Sequence, residues 1–259
     1  MSGPRKRGLA SSLREHRGAH DRLAELIRSA GSVVALTGAG ISVPSGIPDF
    51  RSPGTGLWAN VDPMEVAHIS VWRREPERFW GFYGQRFATL EGKQPNGAHR
   101  ALAELGIPVV TQNIDGLHAA AGSEDVIEVH GSVATASCLA DGTTYPLAET
   151  RRRLEEAIDG VPRCDCGRPL KPDVVLFGEL LDEAAMERAS ALARGADLLL
   201  CIGSSLEVYP VAGLPELTLQ AGGRLAIVTR SSTPFDRWAA ARLDGDVEED
   251  LQAVLALLA

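Results

Sequence analysis

His130 closes the alternating run Val126-Ile127-Glu128-Val129 and is followed at once by Gly131. Imidazole titrates near neutral pH, so at a strand end it can act as a general base. Upstream, Gln112, Asn113, Ile114 and Asp115 sit where the apolar run PVVTQ (108–112) ends, which is where open α/β sheets collect ligand-binding residues. Their simpler use is Asx-type capping of a turn. Gly38, Ala39 and Gly40 follow the β-branched run SVVALT (32–37) directly. Glycines there let backbone N–H groups approach a pyrophosphate, because no Cβ blocks the ligand and positive φ is accessible. The dehydrogenase fingerprint G-x-G-x-x-G fails, since Val43 holds the third glycine position and no strand ending in an acidic residue follows about 20 residues on. A plain nicotinamide dehydrogenase is therefore disfavoured. The loop GAGISVPSGIPDFRSPGTGLW (38–58) is also far longer than such a turn, and long loops in compact domains are usually functional.

The elements that must hold these residues read as α/β. Strand candidates are 32–37, PVVTQ (108–112), DVIEVH (125–130), DVVLF (173–177), ADLLLCIG (196–203) and RLAIVT (224–229). Helical spacing appears at 21–30, 76–90, 182–194 and 247–258, so the alternation predicts a parallel sheet with helices packed on it. Two stretches interrupt it: 53–95, rich in Pro, Gly and Trp, and 133–172, which contains a cysteine cluster. The expected organisation is a Rossmann-like parallel sheet in a large domain of 1–52, 96–132 and 173–259. The smaller lobe is inserted as a helical module (53–95) and a cysteine-containing module (133–172).

Composition excludes several classes. Among 259 residues, no apolar run approaches the roughly 18 to 20 residues of a membrane span. The first 20 residues hold five Arg/Lys and one Glu but no continuous apolar segment of a secretory signal, so a cytoplasmic protein with a frayed basic end is expected. The other 239 residues hold 21 basic and 33 acidic side chains, a net charge of −12 that argues against sequence-independent nucleic-acid binding. The four cysteines do not suggest a disulfide-stapled fold.

Read in order, the 38–58 loop, TQNIDGLH (111–118), VIEVHGS (126–132), PDVVLFGE (172–179) and IGSSLEVYP (202–210) resemble the sirtuin family of NAD-dependent protein lysine deacylases, of bacterial type. The resemblance spans roughly residues 20–255. It implies that Gly38, Ala39, Gly40 and Ser42 line the dinucleotide site and that Asp49, Phe50 and Arg51 belong to a loop closing over NAD. Asn113 would stand near the ribose and a water, and Ile114 with Asp115 in a nicotinamide pocket. His130 would be the base. The acyl-lysine carbonyl oxygen would displace nicotinamide to give an alkylimidate, resolved by a ribose hydroxyl and water to free lysine, nicotinamide and O-acyl-ADP-ribose. Val174, Val175, Leu176, Phe177 and Gly178 match the segment that pairs with an extended acylated peptide. Gly203, Ser204, Ser205 and Val208 resemble a second cofactor-contacting turn, and Asp246-Val247 an adenine-side turn.

The chain departs from the family in three places. The usual zinc module is two Cys-x-x-Cys pairs, whereas here Cys138-Leu139-Ala140-Asp141 has Asp in place of the second thiol and Cys164-Asp165-Cys166 is one residue short. Three thiols with Asp141 could still hold zinc, and the alternative is a lobe that folds without metal. Thr229 and Arg230 stand where relatives carry an adenosine-contacting Asn. Tyr83 and Arg86, three apart on one helical face, match the Tyr-x-x-Arg of relatives that remove acidic acyl groups. A guanidinium and a phenol can bind a succinyl or malonyl carboxylate. The leading expectation is deacylation, with deacetylation ahead of desuccinylation. The alternatives are mono-ADP-ribosyl transfer and a non-catalytic NAD or ADP-ribose sensor.

Overall fold

The computed structural model describes residues 6–50, 54, 56 and 61–259. The chain runs through α1 (Lys6–Ser29), β1 (Val33–Thr37), α2 (Pro63–Val66), α3 (Ile69–Arg74), α4 (Pro76–Leu90), α5 (Gly97–Glu104), β2 (Val109–Thr111), α6 (Leu117–Ala120), β3 (Val126–Glu128) and β4 (Gly131–Ser137). It continues through β5 (Thr144–Pro146), α7 (Leu147–Glu156), β6 (Lys171–Val174), α8 (Glu183–Gly195), β7 (Leu198–Ile202), α9 (Leu214–Gln220), β8 (Arg224–Val228), β9 (Ala239–Leu243) and α10 (Val247–Leu258).

The main sheet is parallel, with strand order β3-β2-β1-β7-β8-β9. The chain builds outward from β1 on one side and then crosses to the other, so the topological switch point lies between β1 and β7, where α/β sheets bind ligands. Side-chain alternation between two covered faces explains why β7 is apolar throughout and β1 is apolar up to Thr37. Ala35, Leu198, Leu200 and Ile202 pack with Leu23, Leu102 and Leu251 from α1, α5 and α10. Val34, Leu36, Leu199 and Cys201 face the other way, toward Ala189, Ala193 and Leu214 of α8 and α9. Truncating fully buried Leu200 to Ala in such a layer costs about 2–5 kcal/mol.

The second sheet is small and antiparallel, in the order β5-β4-β6. It shares a core with the helical module: Phe79, Trp80 and Phe87 of α4 lie against Val133, Leu170 and Val174. Two indoles stitch the inserted pieces together, since Trp72 and Trp80 both donate to the Leu170 carbonyl, at 2.9 and 3.1 Å. Each donor is thereby satisfied in an apolar setting.

Two expectations need correction, and one strand lies outside those expected. DVVLF does not join the parallel sheet: β6 pairs antiparallel with β4, Val175 N–H donates to the His130 carbonyl, and Phe177 forms a parallel bridge with His68. Its backbone is consumed by the small lobe and by the base. β9, with the Ala-rich sequence AAARL, carries no β-branched signal and forms as an edge by pairing with β8. Of the basic N-terminal segment, residues 1–5 lie outside the described residues and the rest is helical from Lys6 rather than frayed.

Candidate active site

A cleft of about 860 Å³ opens at the C-terminal ends of β1, β2 and β7 and runs to α4 and the segment after β6. Its floor begins where two glycine turns meet. Gly38 N–H donates to the Ile202 carbonyl at 3.0 Å and Gly40 N–H to the Gly203 carbonyl at 2.8 Å. A Cβ on Gly40 would lie 2.7 Å from Gly203 Cα, so the close approach requires glycine. Gly203 itself sits at φ +59°, and a Cβ there would strike the Ile41 backbone nitrogen.

Beneath these turns lies a polar network. Ser42 Oγ donates to Asp115 Oδ2 at 2.7 Å and accepts from Asn113 Nδ2 at 3.1 Å. Asn113 Nδ2 also donates to the Gly38 carbonyl at 3.2 Å, tying the β2 end to the glycine turn. Asp115 Oδ1 accepts the Leu117 N–H at 3.0 Å, which aims the carboxylate. Gln112 Nε2 donates to Ser204 Oγ at 2.8 Å, bridging the ends of β2 and β7. Thr37 Oγ1 donates to Thr111 Oγ1, so His118 Nε2, 2.9 Å from Thr37, must carry the proton; the buried His118 Nδ1 then has a lone pair with no partner among the described residues. His99 and His118 meet edge to face at 4.8 Å. Burial holds them at about 4 and about 3 respectively, so both are neutral near pH 7. Both rings thus serve packing and hydrogen bonding beneath the cleft.

His130 follows β3 in a turn. Its Nδ1 lies 3.0 Å from the Gln112 carbonyl, which can only accept, so Nδ1 carries the proton and Nε2 keeps its lone pair. Burial lowers its pKa below the ordinary histidine value, against a smaller opposing pull from that carbonyl. The imidazole lines the cleft as a neutral base.

The opposite wall belongs to the helical module. Tyr83 and Arg86 of α4 are both buried and both line the cleft. Tyr83 stacks on Phe79 at 4.5 Å, and the Arg86 guanidinium sits 4.5 Å from the Phe50 ring centre. Burial pushes the Tyr83 phenol up to about 12, partly countered by Arg86. Burial also lowers the pKa of Arg86, with Tyr83 and Asp115 opposing.

Of the residues singled out from sequence, the cleft gathers Gly38, Ala39, Gly40, Ser42, Asp49 and Phe50, together with Gln112 to Asp115 and His130. Val174 to Gly178, Gly203 to Ser205 and Val208 line it as well. Arg51 lies outside the described residues. Asp246 and Val247 are not brought to the wall: Asp246 caps α10 through the Glu248 and Glu249 N–H groups and pairs with Arg230 at 2.8 Å, and Val247 enters the core. Thr229 and Ser231 line the cleft from that side. Sequence reasoning missed Glu179, Tyr209 and Met186. Glu179 and Tyr209 fall inside quoted motifs, whereas Met186 reads as an ordinary helical apolar position.

Away from the cleft, Cys138, Asp141, Cys164 and Cys166 converge, each offering a donor atom within 4.8 Å of the others. Cys138 Sγ and Cys166 Sγ are 3.5 Å apart, and Cys164 Sγ is 3.2 Å from Asp141 Oδ2. Tetrahedral zinc with bonds of about 2.3 Å to sulfur and about 2.0 Å to oxygen has edges of roughly 3.5–3.8 Å, so these donors fit it with little movement. Cys201 stays in the core, where burial pushes its thiol up to about 12.

Residues 38–210 match the model of the Sir2 family. An NAD-dependent protein deacetylase of Sulfolobus acidocaldarius is 45% identical over 223 residues, covering 84% of this chain and 86% of the relative. NAD-dependent protein deacetylase 1 of Bradyrhizobium diazoefficiens is 41% identical over 242 residues, covering 89% and 93%. Among solved structures, Sir2 with a p53 peptide and NAD+ superposes with a TM-score of 0.83 at 38% identity, covering 91% of this chain and 96% of that one. Sir2Tm bound to a propionylated peptide gives 0.83 at 38% identity, covering 92% and 99%.

Proposed function

The chain belongs to the Sir2 family, and from that premise we propose that its cleft holds NAD against the floor and an acylated lysine against the wall, with His130 between them. The protein is an NAD-dependent protein deacetylase whose substrates are acylated lysines on proteins or peptides. The observation that carries the reading is His130: a neutral imidazole with Nδ1–H fixed on a backbone carbonyl and its other nitrogen free to take a proton.

The residues divide the work. The glycine turns at Gly38–Gly40 and Gly203 pack on each other because neither carries a Cβ, and together they form the backbone floor on which the pyrophosphate rests. Asp115, aimed by Ser42 and the Leu117 N–H, accepts the carboxamide N–H of nicotinamide. Asn113 keeps its Oδ1 free for a ribose hydroxyl or a water while its amide holds Gly38 and Ser42. Phe50, with Asp49 on the closing loop, shields the ribose from water until the acyl oxygen is in place. His130 Nε2 takes a ribose hydroxyl proton, which lets that hydroxyl receive the acyl group. Residues 174–178 dock the peptide.

Cys138, Asp141, Cys164 and Cys166 would hold zinc, which supplies a structural clamp for the small lobe rather than chemistry in the cleft. No helix among the described residues is long and apolar enough to cross a membrane. Four free cysteines support a reducing, cytoplasmic setting. The buried Tyr83 and Arg86 in the acyl wall favour a second specificity, for succinyl or malonyl groups.

Purified protein is incubated with NAD and a peptide carrying acetyl-lysine or succinyl-lysine, and peptide mass is followed alongside nicotinamide release. Acyl loss only with NAD is expected. A peptide gaining ADP-ribose would favour the transferase, and NAD binding with both peptides unchanged would favour the sensor.

A further inference from the structure

Lys171 is buried at the first position of β6, only 8% exposed. An ammonium offers three N–H donors. Its Nζ meets three acceptors: the Val174 carbonyl at 2.8 Å, the Pro172 carbonyl at 3.2 Å and Glu179 Oε2 at 2.9 Å. The same Glu179 oxygen accepts the Leu176 N–H at 2.9 Å, and Glu179 N–H donates back to the Leu176 carbonyl at 3.0 Å. Residues 176–179 thus form a closed turn with Gly178 at φ +83° in third place, the position that demands positive φ. A Cβ on Gly178 would also run into the His68 imidazole.

The segment is anchored on its other side as well. Phe177 N–H donates to the Ala67 carbonyl at 3.1 Å, Ile69 N–H to the Phe177 carbonyl at 2.9 Å, and Val175 N–H to the His130 carbonyl at 2.8 Å. Among the described residues, the Val175 carbonyl and the Gly178 N–H have no backbone partner, and both residues line the cleft. These two groups are what an extended peptide can reach, and their separation and direction depend on the turn that Lys171 and Glu179 close.

We infer that Lys171, acting through Glu179, is a positioning residue that shapes segment 174–179 for the acylated peptide and leaves the NAD floor alone. The inference rests on reading 174–178 as the peptide-docking segment. Without the ammonium, the Glu179 carboxylate loses its counter-charge and the Val174 carbonyl its donor, so the turn relaxes while Ser42, Asn113 and Asp115 keep all their partners.

The test compares Lys171→Met, Lys171→Arg and Glu179→Gln in turnover of an acetyl-lysine peptide at saturating NAD, with NAD affinity measured separately by equilibrium binding. Lys171→Met is expected to raise the peptide KM about tenfold, about 1.4 kcal/mol, with kcat and the NAD Kd within about twofold. Lys171→Arg keeps the charge and recovers at least half of that loss on a logarithmic scale. Glu179→Gln keeps an acceptor for Leu176 N–H but not the ion pair, and raises KM about threefold. An unmoved peptide KM, an equal rise in the NAD Kd, or a fall in kcat at constant KM overturns the proposal. If Lys171→Met does not fold, a wild-type peptide KM in Glu179→Gln overturns it. Wild-type protein that turns over no acylated peptide overturns the functional reading and this proposal with it.

Discussion

The floor of the cleft and its acyl wall are built on opposite principles. The floor stands on the ends of parallel strands, and its polar groups are fixed by one another: Ser42 to Asp115, Asn113 to Gly38, Gln112 to Ser204. The wall comes from two insertions that meet through aromatic packing and two indole hydrogen bonds to one carbonyl. A hydrogen-bonded floor tolerates almost no substitution, because each loss leaves a buried partner unsatisfied. A packed wall can change shape and charge while its core survives. Chemistry common to a family belongs on the first and selectivity on the second.

The harshest way to break this contrast is at the base. His130→Ala is expected to lower kcat for deacetylation by about 10²–10⁴-fold while NAD still binds, because general-base assistance is lost and the floor is untouched. Single-turnover peptide mass spectrometry with NAD titration checks this, and a variant that still deacetylates within tenfold of wild type would remove His130 from the proposed role. The pH profile sharpens the point. The base works only when neutral and burial sets its pKa below about 6.5, so kcat/KM is expected to be flat above that value and to fall on the acid side. Next in size is Gly203→Ala, whose Cβ would meet the Ile41 nitrogen at a positive φ. It is expected to weaken NAD binding by about 10–100-fold, with a loss of a few kcal/mol in stability, read by NAD titration and thermal melting.

The same contrast explains what could be read from the chain alone. The floor was legible because each turn follows a short apolar strand and each polar group has a recognisable place after it: Gly38 after Thr37, Gln112 and Asn113 after Thr111, Gly203 after Ile202. A parallel sheet with a single switch point leaves those strand ends little freedom. The wall was less legible because insertions answer to tertiary packing. DVVLF has strand composition, yet only part of it is strand, antiparallel and in the other sheet, because the His130 carbonyl and residues 67–69 claim its backbone. Nothing in the sequence around Lys171 marks it as buried, and its burial becomes visible only once Val174 and Glu179 fold back over it. Asp246, expected at an adenine-side turn, caps α10 and lies off the cleft lining, since Asp before a helical run can serve either purpose. The cysteine cluster was legible in membership, although its spacing departs from the family, because a folded lobe can bring Asp141 to the place of a fourth thiol.

Zinc tests the wall apart from the floor. Stripping the metal with a chelator is expected to lower the melting temperature of the small lobe, read by hydrogen exchange across 131–174, while the NAD Kd stays within about threefold. Asp141→Ala should lose metal faster than wild type and Asp141→Cys more slowly, since thiolate is the better zinc donor. Equal chelation rates in all three would take Asp141 out of the ligand set. Smaller still is the effect at Arg86. Arg86→Met is expected to lower the succinyl-to-acetyl ratio of kcat/KM by roughly tenfold, the order of one charge-assisted hydrogen bond. An unchanged ratio would confine Arg86 to its contacts within the protein, with the Phe50 ring and the Tyr83 phenol.

The gentlest probe is acid, and it should reach the floor first. His99 and His118 are held at about 4 and about 3 in the folded protein, whereas an unfolded histidine titrates near 6.5. Between those values the unfolded chain binds more protons, so stability rises with pH. This contribution is complete above about pH 6.5 and is lost progressively as pH falls toward the folded values, on the order of 3 kcal/mol for His99 by pH 4. Urea unfolding from pH 7.5 down to 4 should therefore show a falling midpoint, and hydrogen exchange should open β1 and β2 before β4 and β6. Replacing His118 with Gln should flatten that acid limb while lowering stability at pH 7, because the Thr37 hydroxyl keeps a donor but the ring packing against His99 is lost. An acid limb unchanged in this variant would show that carboxylates elsewhere set it, and would remove the buried histidine pair from the account of why the floor is rigid.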